Sequence, residues 1–214
     1  LDRTLRTVLF LTLPAAVGLY VLRVPLIQIL LERGNFTAES TAAVAYALQF
    51  FALGLVAHAL VEIIVRVFYA LHDTLTPVII GIGAMLLNIL FSLWWIGWLG
   101  YGGLALANSV ATILEMLVLL ALLRRRLGAL PMRSLLVSAV RSTLAAVVMG
   151  LAVWGWLSWL TDQPLWIMGL PTGWTAALGG LLIALITYAG VSFALGAEEL
   201  RSLVSPLLRR LINR

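Results

Sequence analysis

Cysteine is absent from all 214 residues, which excludes disulfides and thiolate metal sites. Lysine is absent too, so every basic residue is arginine. Charge of either sign is scarce: 11% of residues carry it, against roughly 25% in a soluble domain. Two isolated histidines, His58 and His72, make no metal site. His58 and Glu62 have helical ligand spacing, but without further ligands they read as hydrogen-bonded packing. No His-Glu-x-x-His, no phosphate-cradling glycine loop and no Gly-x-Ser-x-Gly occurs. Catalysis has no support, and the chain is expected not to be an enzyme.

What is present is apolar. Hydrophobic residues make up 63% of the chain and the mean hydropathy is +1.08. An apolar run of about 18 residues or more can cross a hydrocarbon core of roughly 30 Å, and several such runs follow one another. The expected fold class is all-α, a polytopic membrane bundle of six helices. Nothing before the first run resembles a cleavable signal, and Asp2–Thr7 reads as a loop entering a helix already in progress, as expected of a C-terminal portion. The pI of about 10.4 is not read as nucleic-acid binding, because the arginines cluster at span ends.

Span one is expected over Val8–Leu22, with Pro25 breaking it and Leu26–Leu31 forming a short interfacial helix. Thr37 caps span two, which runs to about Phe68 with Glu39 in its first turn. Span three covers Pro77–Trp98 and ends in the Trp94, Trp95, Trp98 belt; span four covers Leu104–Leu123. Span five covers Leu135–Leu160, a Thr161–Pro171 loop follows, and span six covers Gly173–Leu195. Gly196–Arg214 is expected to be an amphipathic tail. The domain reading is 1–128 for four spans, 129–198 for two more and 199–214 for the tail.

Six spans put both ends on one side. Twelve of the 14 arginines fall on that side and only Arg23 and Arg33 on the other, so the ends are expected in the cytoplasm. Small residues four apart, such as Ala107 and Ala111 or Gly180 and Ala184, allow close helix contacts. Polar side chains inside spans are costly and therefore candidates for function. Asn108, Thr112 and Glu115 form one stripe, Asn88 and Ser92 a second, and His58, Glu62 and Arg66 a third. Three such faces are expected to meet around a cavity, or else to join helices by hydrogen bonds.

Between spans two and three lies the one patterned polar interval, Arg66–Pro77. His72, Asp73 and Thr74 read as a turn, with Thr76 as N-cap and Pro77 at the first helical position. Here Phe68-Tyr69-Ala70 followed by Asp73-Thr74-x-Thr76-Pro77 resembles the cytoplasmic segment of the MurJ/MviN lipid II flippases. These belong to the multidrug/oligosaccharidyl-lipid/polysaccharide (MATE-like) exporter superfamily. Leu11–Ala16, Glu32-Arg33-Gly34-x-Phe36, Gly102–Ala107 and the Leu123–Gly128 arginine run agree in order.

The resemblance implies the last six of fourteen helices, most of a C-terminal lobe, in the bacterial cytoplasmic membrane. It implies translocation of undecaprenyl-diphosphate-linked peptidoglycan precursor by alternating access, with membrane lipids and an N-terminal lobe as partners and no nucleic acid. No cofactor is implied; a coupling ion, Na+ or H+, or the membrane potential would drive transport. Spans five and six would form a groove for the isoprenoid tail. Arg66 would help attract a phosphate, while Glu115, Asn88 and Asn108 would line the lobe or form an ion-coupling site. Departures from the family pattern are Glu62, where many members have Lys, Leu75, where Arg is usual, and Glu115, where a neutral residue is commoner. An exporter of another polyprenyl-linked glycan or of a small cation, and a non-transporting scaffold, are the alternatives.

Overall fold

The computed structural model describes residues 2–128, 132–161, 166–167, 170–197 and 199. They form six helices: α1 (Asp2–Leu31), α2 (Ala38–Ala70), α3 (Leu75–Leu99), α4 (Tyr101–Leu127), α5 (Met132–Thr161) and α6 (Thr172–Ala194). A two-residue antiparallel ladder pairs β1 (Trp166–Ile167) with β2 (Leu170–Pro171). All six helices are long and apolar enough to cross a bilayer. Hydrocarbon offers backbone groups no partners, so such runs must satisfy their own hydrogen bonds as helices. The chain is an all-α, multi-pass membrane protein.

Three local expectations fail. Asp2–Thr7, read as a loop, is helical, because α1 begins at Asp2. Pro25 does not break span one: α1 is continuous for 30 residues and contains both Pro14 and Pro25. A proline removes one backbone donor, whereas ending a helix among apolar side chains would strand several backbone groups. Pro25 is itself buried. Nor is Thr76 the cap of α3, which begins at Leu75. Thr74 stands at the cap position without a side-chain cap bond, and the Asp73 carboxylate supplies that bond instead. Pro77 still falls in the first turn, where backbone donors lack helical partners anyway. Thr37, by contrast, caps α2 as expected, accepting from the Ser40 N–H.

The chain divides into two compact units, and the division falls inside α1, after Gly18. In the first unit, which starts at Leu19, α4 is the central element. Helices α2 and α3 each pack along α4 and touch one another little. The α2 face buries Ala45, Ala52, Gly54 and Ala57 towards one end and Leu60, Ile64 and Phe68 towards the other. Close approach is real at the small end: a Cβ on Gly54 would lie 2.6 Å from Ser109 Oγ and 2.9 Å from Ser109 Cα. Ser109 Oγ donates to the Phe50 carbonyl at 2.7 Å, joining α4 to α2 there. Gly103 similarly meets the Trp95 carbonyl across the α3–α4 turn. Outward faces such as Ile79, Ile82 and Met85 on α3 stay exposed, as lipid-facing surfaces do.

In the second unit, α1 up to Gly18 accompanies α5 and α6. Ser134, Ser138 and Ser142 recur at four-residue intervals and so share one face of α5. Ser134 donates to Asp2 at 3.1 Å and Ser138 to Glu199 Oε1 at 2.9 Å. Arg6 Nε reaches the same Glu199 oxygen at 2.7 Å. Tyr188 of α6 donates to the Phe10 carbonyl at 2.6 Å and tilts its ring against Phe10. The expected amphipathic tail lies outside the described residues, except 196, 197 and 199.

Candidate functional site

The polar stripes of α2, α3 and α4 meet in one hydrogen-bonded row. Ser92 Oγ donates to Asn88 Oδ1 at 3.1 Å, and Asn88 Nδ2 reaches Asn108 Oδ1 at 3.5 Å, the long limit of such a bond. Asn108 Nδ2 lies 3.1 Å from His58 Nε2. Thr112 Oγ1 donates to the Asn108 carbonyl at 2.9 Å and stands 3.3 Å from the same histidine nitrogen. With Nε2 accepting, the row of donors runs one way from Ser92 to His58. A proton on Nε2 is accommodated if both amides turn over together. The four-residue spacing on each helix aligns these groups, and the α3–α4 turn sets their depth. Ser92 and Asn108 stand eight residues before and after Gly100 (100 − 92 and 108 − 100).

Glu62 and Arg66 do not join this row. They pair with each other at 2.7 Å one helical turn apart, and both are about two-thirds exposed. Glu115 is half-buried, one turn beyond Thr112 on α4. Its Oε1 would lie 3.6 Å from a Cβ placed on Gly81 of α3. Among the described residues no hydrogen bond or ion pair holds the Glu115 carboxylate. The expected meeting of three polar faces therefore takes in Asn88 and Ser92, Asn108 and Thr112, and His58, and leaves Glu62, Arg66 and Glu115 outside the bonded row.

At the arginine-bearing end, the turn from α2 to α3 is closed by backbone bonds. The Asp73 N–H donates to the Phe68 carbonyl and the His72 N–H to the Tyr69 carbonyl, both at 3.0 Å. This Schellman pattern needs a left-handed residue, and His72 supplies it at φ 58°. Asp73 then caps α3: Oδ1 accepts the Thr76 N–H at 3.0 Å and Oδ2 accepts the Thr76 hydroxyl at 2.6 Å. The Thr76 hydroxyl and then its N–H hold the Asp73 carboxyl below its ordinary value, against partial burial and with help from Arg126. Phe68 is fully buried, Pro77 is buried, and Tyr69 and Thr74 are exposed.

With both clusters placed, the chain can be set beside known proteins. The family model described as lipid II flippase MurJ matches residues 1–172. The chain belongs to that family. A probable lipid II flippase MurJ of Rhizobium meliloti (strain 1021) is 32% identical over 216 residues, covering 100% of this chain and 39% of that protein. Its counterpart in Haemophilus influenzae is 33% identical over 199 residues, covering 93% and 38%. A solved structure, lipid II flippase MurJ in an inward closed conformation, superposes with a TM-score of 0.69 at 28% identity. It covers 94% of this chain and 38% of the solved chain. The chain thus spans about two fifths of its MurJ relatives and corresponds to their C-terminal portion.

Within this MurJ segment, two partners escape a reading of residue spacing. His58 sits on the same α2 face as Glu62, yet only the rotation of α2 against α4 reveals Asn108 and Thr112 as its neighbours. Arg126 is one of three consecutive arginines and reads as a topology signal, although it alone of the three ion-pairs with a carboxylate among the described residues.

Proposed function

We propose that this chain is the C-terminal lobe of a lipid II flippase, which moves undecaprenyl-diphosphate-linked peptidoglycan precursor across the bacterial cytoplasmic membrane. Its superposition on a solved flippase over nearly its whole length carries the reading. The His58–Asn108–Asn88–Ser92 row supports it, because membrane-depth polar groups on three helices are retained at a cost in stability. Transport would proceed by alternating access, through differential binding in inward and outward states rather than covalent chemistry. Asn88, Asn108 and Glu115 would line the lobe interior. Arg66, neutralised by Glu62 in this state, would meet a phosphate only after that exposed pair opens. A coupling ion, Na+ or H+, or the membrane potential would supply the drive.

The arginine-bearing ends would face the cytoplasm, and an N-terminal lobe would complete the moving pair. The test is growth of bacteria depleted of their own flippase and supplied with the full-length protein. Restored growth with normal membrane insertion is expected. Correct insertion without growth would overturn the proposal in favour of a non-transporting scaffold.

A further inference from the structure

Helices α2 and α3 share α4 as a common support but barely touch each other. What joins them is the short turn between Ala70 and Leu75. One guanidinium spans everything at that end. Arg126, at the end of α4, places Nη1 2.5 Å from Asp73 Oδ2 and Nη2 3.5 Å from Thr76 Oγ1. Its Cζ lies 5.8 Å from the centre of the Phe68 ring on α2. The planar fork thus touches the last turn of α2, the cap of α3 and its own helix at once. Arg124 and Arg125 carry the same charge, and among the described residues neither pairs with a carboxylate. A topology signal needs the charge alone; this contact needs the fork.

We propose that Arg126 is a positioning residue: it latches the α2–α3 turn onto the end of α4, and opening of this latch accompanies the transport cycle. The turn is built to move as one piece. Its Schellman bonds and the Asp73 cap are internal to it and survive if Arg126 leaves. Only the contact with α4 is broken. That contact suits reversible opening, because Arg126 is about half exposed and a partly solvated ion pair is held weakly. Helix α3 remains capped by Asp73 either way, so release leaves no frayed helix behind. The transport clause rests on the flippase reading above; the latch itself does not.

The full-length protein, made cysteine-free, would carry Leu123→Cys, a fully buried α4 position three residues before Arg126. Labelling by a water-soluble maleimide in membrane vesicles reads the latch, and rescue of flippase-depleted cells reads transport. Asp73→Asn separates the two roles of that carboxylate, since asparagine caps as well as aspartate but lacks the charge. Arg126→Gln and Asp73→Asn should each raise labelling several-fold, with no further rise in the double variant, as for two ends of one contact. Both should impair rescue at normal insertion levels, and Arg126→Lys should restore part of it. Unchanged labelling in Asp73→Asn, or additive effects in the double variant, would overturn the latch. Raised labelling with full rescue would overturn its part in transport. Failure of the parent protein to rescue would sink the flippase reading while leaving the labelling result standing.

Discussion

Asn108 is the residue on which the polar row turns, since it touches Asn88, His58 and the Thr112 hydroxyl through different atoms. Asn108→Leu would remove the middle of the row and leave the amide and imidazole without their shared partner. Interhelical hydrogen bonds in membranes average about 0.6 kcal/mol and reach about 1.7 kcal/mol. A loss of about 1–2 kcal/mol is therefore expected in reversible unfolding of the detergent-solubilised protein. Glu115 makes the opposite case. No bond among the described residues depends on its charge, and a charge inside a span is costly, so Glu115→Gln should leave stability unchanged or raise it. If the carboxylate faces the transported species, rescue of flippase-depleted cells should still fall sharply. Unchanged rescue would remove Glu115 from the site. Asn88 and Asn108 were legible as polar positions from four-residue spacing, and the structure joins their helices by a hydrogen bond, one of the two outcomes expected of them. The stripe that holds His58 was legible too, but its partners were not, because they lie on another helix, 50 and 54 residues further along the chain.

Among elements, the seam between α2 and α4 shows how side-chain size sets helix distance. Gly54 faces Ser109 so closely that an added methyl would meet backbone Cα as well as the side chain. A flexible neighbour could yield, but a helix backbone cannot, so Gly54→Ala must push α2 away from α4. That displacement would also stretch the Ser109–Phe50 bond. Overpacking of this kind costs about 1–3 kcal/mol, and a matching drop in thermal stability is expected. Pairing Gly54→Ala with Ser109→Gly should recover part of the loss; no recovery would mean that the strain lies elsewhere. Ala107 and Ala111 were readable as contact positions and are buried on α4, whereas the Gly54–Ser109 approach was not singled out; the spans themselves were readable from hydropathy. Helix ends were less so. At Pro25 a local rule about proline met the stronger requirement that backbone groups in an apolar setting stay paired, and at Thr76 the cap passed to a carboxylate three residues earlier.

At the scale of the whole chain, α1 belongs to both compact units, and its first half is bonded through Asp2 to Ser134, through Arg6 to Glu199 and through the Phe10 carbonyl to Tyr188. Arg6 and Ser138 converge on Glu199, only 7% exposed just beyond α6. None of this was visible beforehand, because Arg6 and Glu199 are 193 residues apart and each reads alone as a span-end charge. Burial pushes the Glu199 carboxyl up, yet its own backbone N–H, the Ser138 hydroxyl and Arg6 outweigh burial and hold it below the ordinary carboxylate value. A carboxyl lowered on folding adds stability above its unfolded value, and that contribution is lost as pH falls through the folded value. Asp73 acts in the same direction in the other unit. Thermal unfolding of the full-length protein should therefore be insensitive to pH near neutrality and should weaken below roughly pH 4, where free carboxyls titrate. Glu199→Gln should lower stability at neutral pH and flatten the acid slope, and adding Asp73→Asn should flatten it further. An acid slope unaltered by both substitutions would mean that other carboxylates carry the dependence and that the Glu199 bonds add nothing to folding.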